Sequence, residues 1–324
     1  MPPLRHTAAV ATDLACRAVG RHTVVRAARF VLRRARLDVP NDLATNGEAC
    51  LQRQILELSS PGQDIHVVDV GANVGRWSRM MLAAARQAGR LDDLDLHSFE
   101  PSSYTFSCLA QALVGQSVVL NHCALGDQPG FATLHVVAPG AGRNSLHRLA
   151  GAASCDETEQ VSTVTLDEYA SRAGLAHLAL VKIDTEGHDL VVLRGARTLL
   201  AEQRIHVVQF EYNYRWVDAR CFLRDAFELF GPYGYRLGKL TPFGVEFYPC
   251  WDPELETFVE GNYVACPDPV MRELPTVTWW KSGARGQSAW PASSRPSGWP
   301  RPPQGLAWSG PRRDSARRAI REKS

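Results

Sequence analysis

Nowhere in this chain of 324 residues do eighteen apolar residues run uninterrupted, so no transmembrane helix is expected. No apolar signal-peptide core follows Met1 either. The eight cysteines, Cys16, Cys50, Cys108, Cys123, Cys155, Cys221, Cys250 and Cys266, form no C-x-x-C pair and no cluster with histidine at zinc spacing. Several sit in apolar runs, where cysteine serves as a small core residue. This is the pattern of a reduced, cytoplasmic protein. Internal repeats are absent. A basic face is missing from the middle of the chain as well. The net charge of +2 is made by the ends: residues 1–37 hold eight arginines and one acid, and residues 281–324 hold ten basic residues and two acids. Residues 38–280 therefore carry −13. An acidic body argues against nucleic acid as a substrate.

What is present begins with a basic, acid-poor stretch. Residues 7–37 read as one or two helices, and the segment 1–40 could touch a partner or an anionic membrane surface. Its composition is also that of a transit peptide, although the same Ala/Arg/Gly bias runs through the whole chain. A body at 41–280 follows, with 45% hydrophobic residues in the chain to build a core. Helices are expected at 41–59, 76–88 and 189–200. Strands are expected at 65–70, 94–99, 118–122, 178–183 and 205–211, with two more β-like runs at 133–137 and 161–166. Residues 139–154 read as a loop. Late antiparallel strands are expected at 235–240, 245–248 and 259–265. This alternation predicts an α/β doubly wound sheet, mostly parallel. Residues 281–324, rich in Pro, Ser, Gly and Arg, read as a disordered tail.

Two glycine-bearing motifs carry chemistry. V-V-D-V-G-A-N-V-G at 67–75 ends a strand and opens a helix, and the next strand ends in S-F-E-P at 98–101. That is a nucleotide-binding layout, with Glu100 placed to accept ribose hydroxyls. The third glycine of a dinucleotide fingerprint is missing. Asp69 lies two residues before Gly71, where an acid repels a diphosphate but suits an ammonium group. S-adenosylmethionine is the adenosine cofactor with these properties. Gly71, Asn73 and Gly75 form its expected cradle, with Pro101, Cys123 and Ala124 against the base. The second motif, L-V-K-I-D-T-E-G-H-D at 180–189, delivers Asp184 and Glu186 beyond the end of a buried strand, where open α/β sheets bind ligands. Asp184 is the expected general base or acceptor-orienting carboxylate, with His188 second and Glu186 beside them. Simple pairing of Lys182 with one acid is the alternative. Asp184, Glu186 and Glu211 are hard oxygen ligands suited to magnesium, but nothing in the sequence requires a metal.

Taken in order, these blocks resemble the FkbM family of S-adenosylmethionine-dependent methyltransferases. The resemblance runs through D-V-G-A-N-V-G, F-E-P, N-x-x-A-L-G-D at 121–127, V-T-L-D-E-Y at 164–169, K-I-D-T-E-G, L-R-G-A at 193–196, F-E-Y-N at 210–213 and G-Y-R-L at 234–237. It covers about residues 41–267. It implies a class I methyltransferase fold with a seven-stranded sheet, and O-methylation of a hydroxyl on a sugar, glycolipid, polyketide or other secondary metabolite. One departure is Asp189, where the family usually has Glu. The rival readings are a nicotinamide-dependent oxidoreductase and a non-catalytic methyltransferase-like binding domain. Acceptor contacts are expected from loops at 139–154 and 212–220.

Overall fold

A computed structural model describes residues 2–137, 142, 144–148, 157–278 and 307–309, with side chains for 5–137, 142, 144–148 and 157–277. Most of the loop expected at 139–154 and nearly all of the tail expected at 281–324 lie outside the described residues. The chain divides into two units, residues 1–40 and 41–324. The first unit contains two helices, α1 (Pro2–Val19) and α2 (Arg21–Ala35). α2 has no acid in its first turn, arginines in its last and no buried residue. No described helix is long and apolar enough to cross a membrane.

The described residues of the second unit form thirteen strands. They are β1 (Ile65–Val70), β2 (Leu94–Phe99), β3 (Val118–Asn121), β4 (Ala124–Leu125), β5 (Gly130–Val136), β6 (Glu157–Val164), β7 (Leu178–Ile183), β8 (Ile205–Tyr212), β9 (Tyr235–Thr241), β10 (Gly244–Phe247), β11 (Gly261–Pro267), β12 (Thr276–Thr278) and β13 (Ala307–Ser309). The helices are α3 (Glu48–Leu58), α4 (Arg76–Gln87), α5 (Ser103–Ala112), α6 (Leu166–Arg172), α7 (Asp189–Arg194), α8 (Arg197–Ala201), α9 (Arg215–Asp218), α10 (Leu223–Phe230) and α11 (Asp268–Met271).

Ten strands form one sheet in the order β13-β12-β10-β9-β11-β8-β7-β1-β2-β3. β3, β2, β1, β7 and β8 are parallel, and β11 runs antiparallel between β8 and β9. These seven strands make a class I methyltransferase sheet, doubly wound about β1 and β7. β10, β12 and β13 extend it past β9. A smaller sheet, β4-β6-β5, sits at the side.

Both faces of the large sheet are covered, so its central strands are apolar on consecutive residues rather than alternating. Val67, Leu180 and Val207 face a core shared with α3, α4 and α5, whereas Val68, Val181 and Val208 face one shared with α6, α7, α8 and α10. α4 follows the helical period: Trp77, Met81, Leu82, Ala84 and Ala85 are buried along one side.

Two expected helices are shorter than their patterns. Residues 41–47 are not helical, because Asn41 and Asn46 spend their side chains on each other and on buried acids instead of exposing them. The run 189–200 breaks into α7 and α8. At the break the Gly195 carbonyl accepts from the Asp167 amide, while the Asp167 carboxylate caps the Thr198 and Leu199 amides. The V-T-L-D-E-Y and L-R-G-A motifs are thus two halves of one capping arrangement.

Candidate functional site

The strand order reverses between β1 and β7, and the crevice at their carboxyl ends holds two adjoining cavities. The smaller, about 690 Å³, has an apolar floor of Val70, Phe99, Leu125 and Leu134. Gly71, Asn73, Glu100, Pro101, Cys123, Ala124, Asp184, Glu186 and His188 also line it. The larger, about 1100 Å³, is polar, with Glu48, Lys182, Glu211, Arg215 and Asn262 among its walls. Gly71, Asn73, Asp184 and Glu186 border both.

The turn after β1 is shaped by the protein rather than by phosphate. The Gly71 and Ala72 amides donate to the Phe99 carbonyl, the Asn73 amide donates to Glu100 Oε2, and the Gly75 amide donates to the Ala72 carbonyl. These N–H groups are therefore unavailable to a pyrophosphate. Gly71 has φ +76°, and a Cβ there would stand 2.0 Å from the Asp184 carbonyl oxygen. The absence of a side chain lets the β1 and β7 turns cross. Gly75 lines neither cavity. It takes φ +78° at the start of α4, and a Cβ on it would stand 2.9 Å from Leu109.

Asp69 is fully buried beneath the turn, accepts from Ser78 Oγ at 2.6 Å and lies 3.2 Å from Lys182 Nζ. It does not itself line either cavity. Lys182 bridges Asp69 and Asp184 (3.5 Å) and donates to the Gly71 carbonyl at 3.3 Å. Burial by itself would lower the Lys182 pKa, but Asp69, Asp184 and Glu48 hold it above the ordinary value. The sequence alternative of one acid for Lys182 becomes a cation between two.

Glu100 ends β2 with its two oxygens separately engaged, Oε2 by the Asn73 amide and Oε1 by the Ser102 amide, both at 3.0 Å. Each oxygen keeps a lone pair for a further donor. Burial pushes its pKa up to about 7 against the opposing pull of those amides and Lys182. Cys123 is held as a neutral thiol, pushed up to about 11 by burial. It offers the smaller cavity an apolar surface.

The carboxyl end of β7 carries three candidates in different states. Asp184 has a side chain 35% exposed and faces both cavities. Glu186 adopts φ +57°, a strained value for a non-glycine residue. It lies 2.8 Å from Arg215 Nε. Burial and Asp184 raise it to about 8 in spite of that arginine. His188 lies with Nδ1 3.2 Å from His147 Nε2, and burial followed by His147 lowers it to about 3. It is a neutral imidazole of low basicity. Asp189 is fully buried and accepts from the Gly187 amide at 3.2 Å. The shorter acid closes the turn rather than reaching a cavity.

The polar cavity rests in part on residues that no motif announced, Asn41, Glu48 and Asn262, beside Glu211 of the F-E-Y-N motif. Glu48 accepts from Asn46, Gln209 and Asn262, and Glu211 accepts from Asn41 and Asn213. Burial raises the pKa of both acids. Buried acids of this kind are tolerable only when so partnered. A clue was legible in the form of polar Gln209 and Asn262 inside otherwise apolar strands. The magnesium set considered for Asp184, Glu186 and Glu211 is not assembled. Among the described residues these three are not grouped within reach of one ion, and each is engaged by a different partner. Of the expected acceptor loops, Asn213, Tyr214 and Arg215 line the larger cavity. Gly142, Asn144, Ser145 and Leu146 close the smaller one. Ser145 Oγ donates to the Glu186 carbonyl at 2.9 Å.

A doubly wound seven-stranded sheet, a β1 turn whose Gly71, Ala72, Asn73 and Gly75 amides are engaged within the fold and a carboxylate at the end of β2 fit the class of S-adenosylmethionine-dependent methyltransferases. The sequence profile of the methyltransferase FkbM domain matches residues 69–237, just over half of the chain. The chain belongs to the FkbM methyltransferase family. No curated protein matches it. Among solved structures, it is similar to a SAM-dependent methyltransferase from Agrobacterium tumefaciens, with 9% identity over 68% of this chain and a TM-score of 0.37. It spans 61% of that protein's length. It is also similar to a precorrin-6y C5,15-methyltransferase from Geobacter metallireducens, with 14% identity, 75% of this chain and 93% of that one covered, and a TM-score of 0.35. At this distance neither likeness bears on the acceptor.

Proposed function

We propose that this protein moves a methyl group from S-adenosylmethionine to a hydroxyl oxygen of a polyhydroxylated small molecule, such as a sugar, glycolipid or secondary metabolite. The observation that carries the reading is the meeting of two unlike cavities at Asp184, one apolar with a buried carboxylate at its edge, the other polar and rich in acids. Glu100 suits ribose, since its two spare lone pairs match two adjacent hydroxyls. Phe99, Leu125, Leu134 and the Cys123 thiol suit the base. The bound cofactor supplies an electrophilic methyl on a sulfonium sulfur. No metal is needed for that chemistry.

On the other side, Asn41, Asn213 and Asn262 with the surrounding carboxylates suit a ligand bearing many hydroxyls. Asp184 orients the reacting hydroxyl and takes its proton while the oxygen–carbon bond forms and the carbon–sulfur bond breaks. Glu186, tied to Arg215, shapes the wall beside it. A nicotinamide reaction fits poorly because the turn amides are spent within the fold. A binding-only domain fits poorly because Asp184 stays open to the cleft.

Incubation with methyl-labelled cofactor and a panel of hydroxylated acceptors tests the proposal. Label is expected in an alkali-stable ether. Label found only on nitrogen or carbon, or no transfer alongside normal cofactor binding, would overturn it.

A further inference from the structure

We propose that His66, Asp95 and His97 form a binding site for one divalent metal ion of the zinc class, on one face of β1 and β2 and short of the strand ends that line the two cavities. His66 and Asp95 are partners in the β1–β2 register, and His97 lies two residues beyond Asp95. The pleat therefore puts all three on one face. His66 Nδ1 lies 2.8 Å and His97 Nε2 lies 2.9 Å from the same oxygen, Asp95 Oδ2. All three ligand atoms fall within 4.8 Å of one another, and no other such trio occurs among the described residues.

Two imidazoles and one carboxylate make a donor set that zinc takes when a fourth position is left to water. Bonds of about 2.0–2.2 Å to a tetrahedral ion set its ligand atoms roughly 3.3 Å apart. Reaching that spacing needs the Asp95 carboxylate, which is 41% exposed and has room to move, to draw back by about half an ångström from each imidazole. The open position then faces solvent beside it. His97 is 5% exposed, and its Nδ1 lies 2.7 Å from the Tyr169 hydroxyl. With Nε2 on the ion, Nδ1–H donates to the Tyr169 oxygen, the outer partner that fixes a metal-bound imidazole. In the metal-free state Nε2–H donates to Asp95 and the tyrosine donates to Nδ1. A hydroxyl serves either arrangement. His66 stands four residues before the end of β1, roughly 13 Å along the strand, and His97 two residues before Phe99, roughly 7 Å. An ion there clamps the first two strands and takes no part in methyl transfer.

The test uses the full chain, stripped with chelator and titrated with Co²⁺ alone under visible absorption, then competed with Zn²⁺. One ion per chain is expected, with tetrahedral absorption that Zn²⁺ abolishes. His66→Ala should weaken Zn²⁺ binding at least 10-fold, and Tyr169→Phe by about 10–100-fold. Binding of S-adenosylhomocysteine should be unchanged in both, which shows that the fold survives. If His66→Ala does not fold, the nearly isosteric Asp95→Asn takes its place with the same expected loss. No saturable binding at one ion per chain would overturn the proposal and leave a hydrogen-bonded triad. So would an affinity that the folded variant leaves unchanged.

Discussion

The two cavities that meet at Asp184 are built in different ways. The apolar one is assembled mainly from the ends of β1, β2 and β7 and the stretch after β3, short blocks at strand ends, with Leu134 of β5 and residues 142 and 144–146 laid against them. The polar one gathers Asn41, Glu48, Glu211, Arg215, Glu260 and Asn262, which are scattered over more than two hundred positions. A site made from strand ends is local in sequence. A site made where α3, β8 and β11 come together exists only after the chain has folded. This difference explains why the blocks around the apolar cavity stand out in the sequence, whereas of the scattered residues around the polar one only Glu211 and those of the 212–220 stretch do.

The sharpest way to break the comparison is at the residue shared by both halves. Asp184→Asn keeps the shape and removes the base. The rate should fall by roughly 10²–10⁴, with cofactor affinity nearly unchanged. Turnover, cofactor affinity and melting temperature measured on this one variant separate the possibilities. Near-normal turnover would place the base elsewhere. A stability loss with normal turnover per folded molecule would reduce Asp184 to a partner of Lys182.

A second expectation concerns pH. Glu100 and Asp189 at about 7 and Glu186 at about 8 are all raised by burial. An acid whose folded pKa exceeds its unfolded value stabilises the fold below the unfolded value and loses that contribution as pH rises through the folded one. The ligand-free protein should therefore lose melting temperature between about pH 4.5 and 8. Cofactor affinity should move the other way, rising by up to about tenfold per pH unit below pH 7 as Glu100 ionises to accept two hydroxyls. Calorimetry in buffers of different ionisation enthalpy should detect proton release. A flat affinity profile would remove Glu100 from ribose binding.

The smallest effect is expected at His188. A neutral imidazole of low basicity, packed on His147, is a poor general base. His188→Asn should change turnover less than about tenfold. A loss as large as that of Asp184→Asn would exchange their roles.

Much of the fold was legible because burial on both faces leaves uninterrupted β-formers. The expected strands 65–70, 94–99 and 178–183 coincide with β1, β2 and β7. What position alone did not reveal was what else single residues do. Asp69 and Gly75 stand in the glycine motif, and one also holds Lys182 while the other seats α4 against Leu109. A sequence motif records what the turn needs to fold as well as what the ligand needs, and spacing alone does not separate the two. Helix lengths were overestimated where polar side chains had partners distant in sequence, as at Asn41 and Asp167.

The central claim is that the cavity at Glu100 holds S-adenosylmethionine rather than a dinucleotide. Its most direct test is a calorimetric titration of wild type and Glu100→Ala with S-adenosylhomocysteine and with NAD. S-adenosylhomocysteine should bind the wild type well and NAD little, and Glu100→Ala should lose roughly 1.5–3 kcal/mol per hydroxyl contact. Tighter binding of NAD, or an unchanged affinity for S-adenosylhomocysteine in Glu100→Ala, would contradict the account.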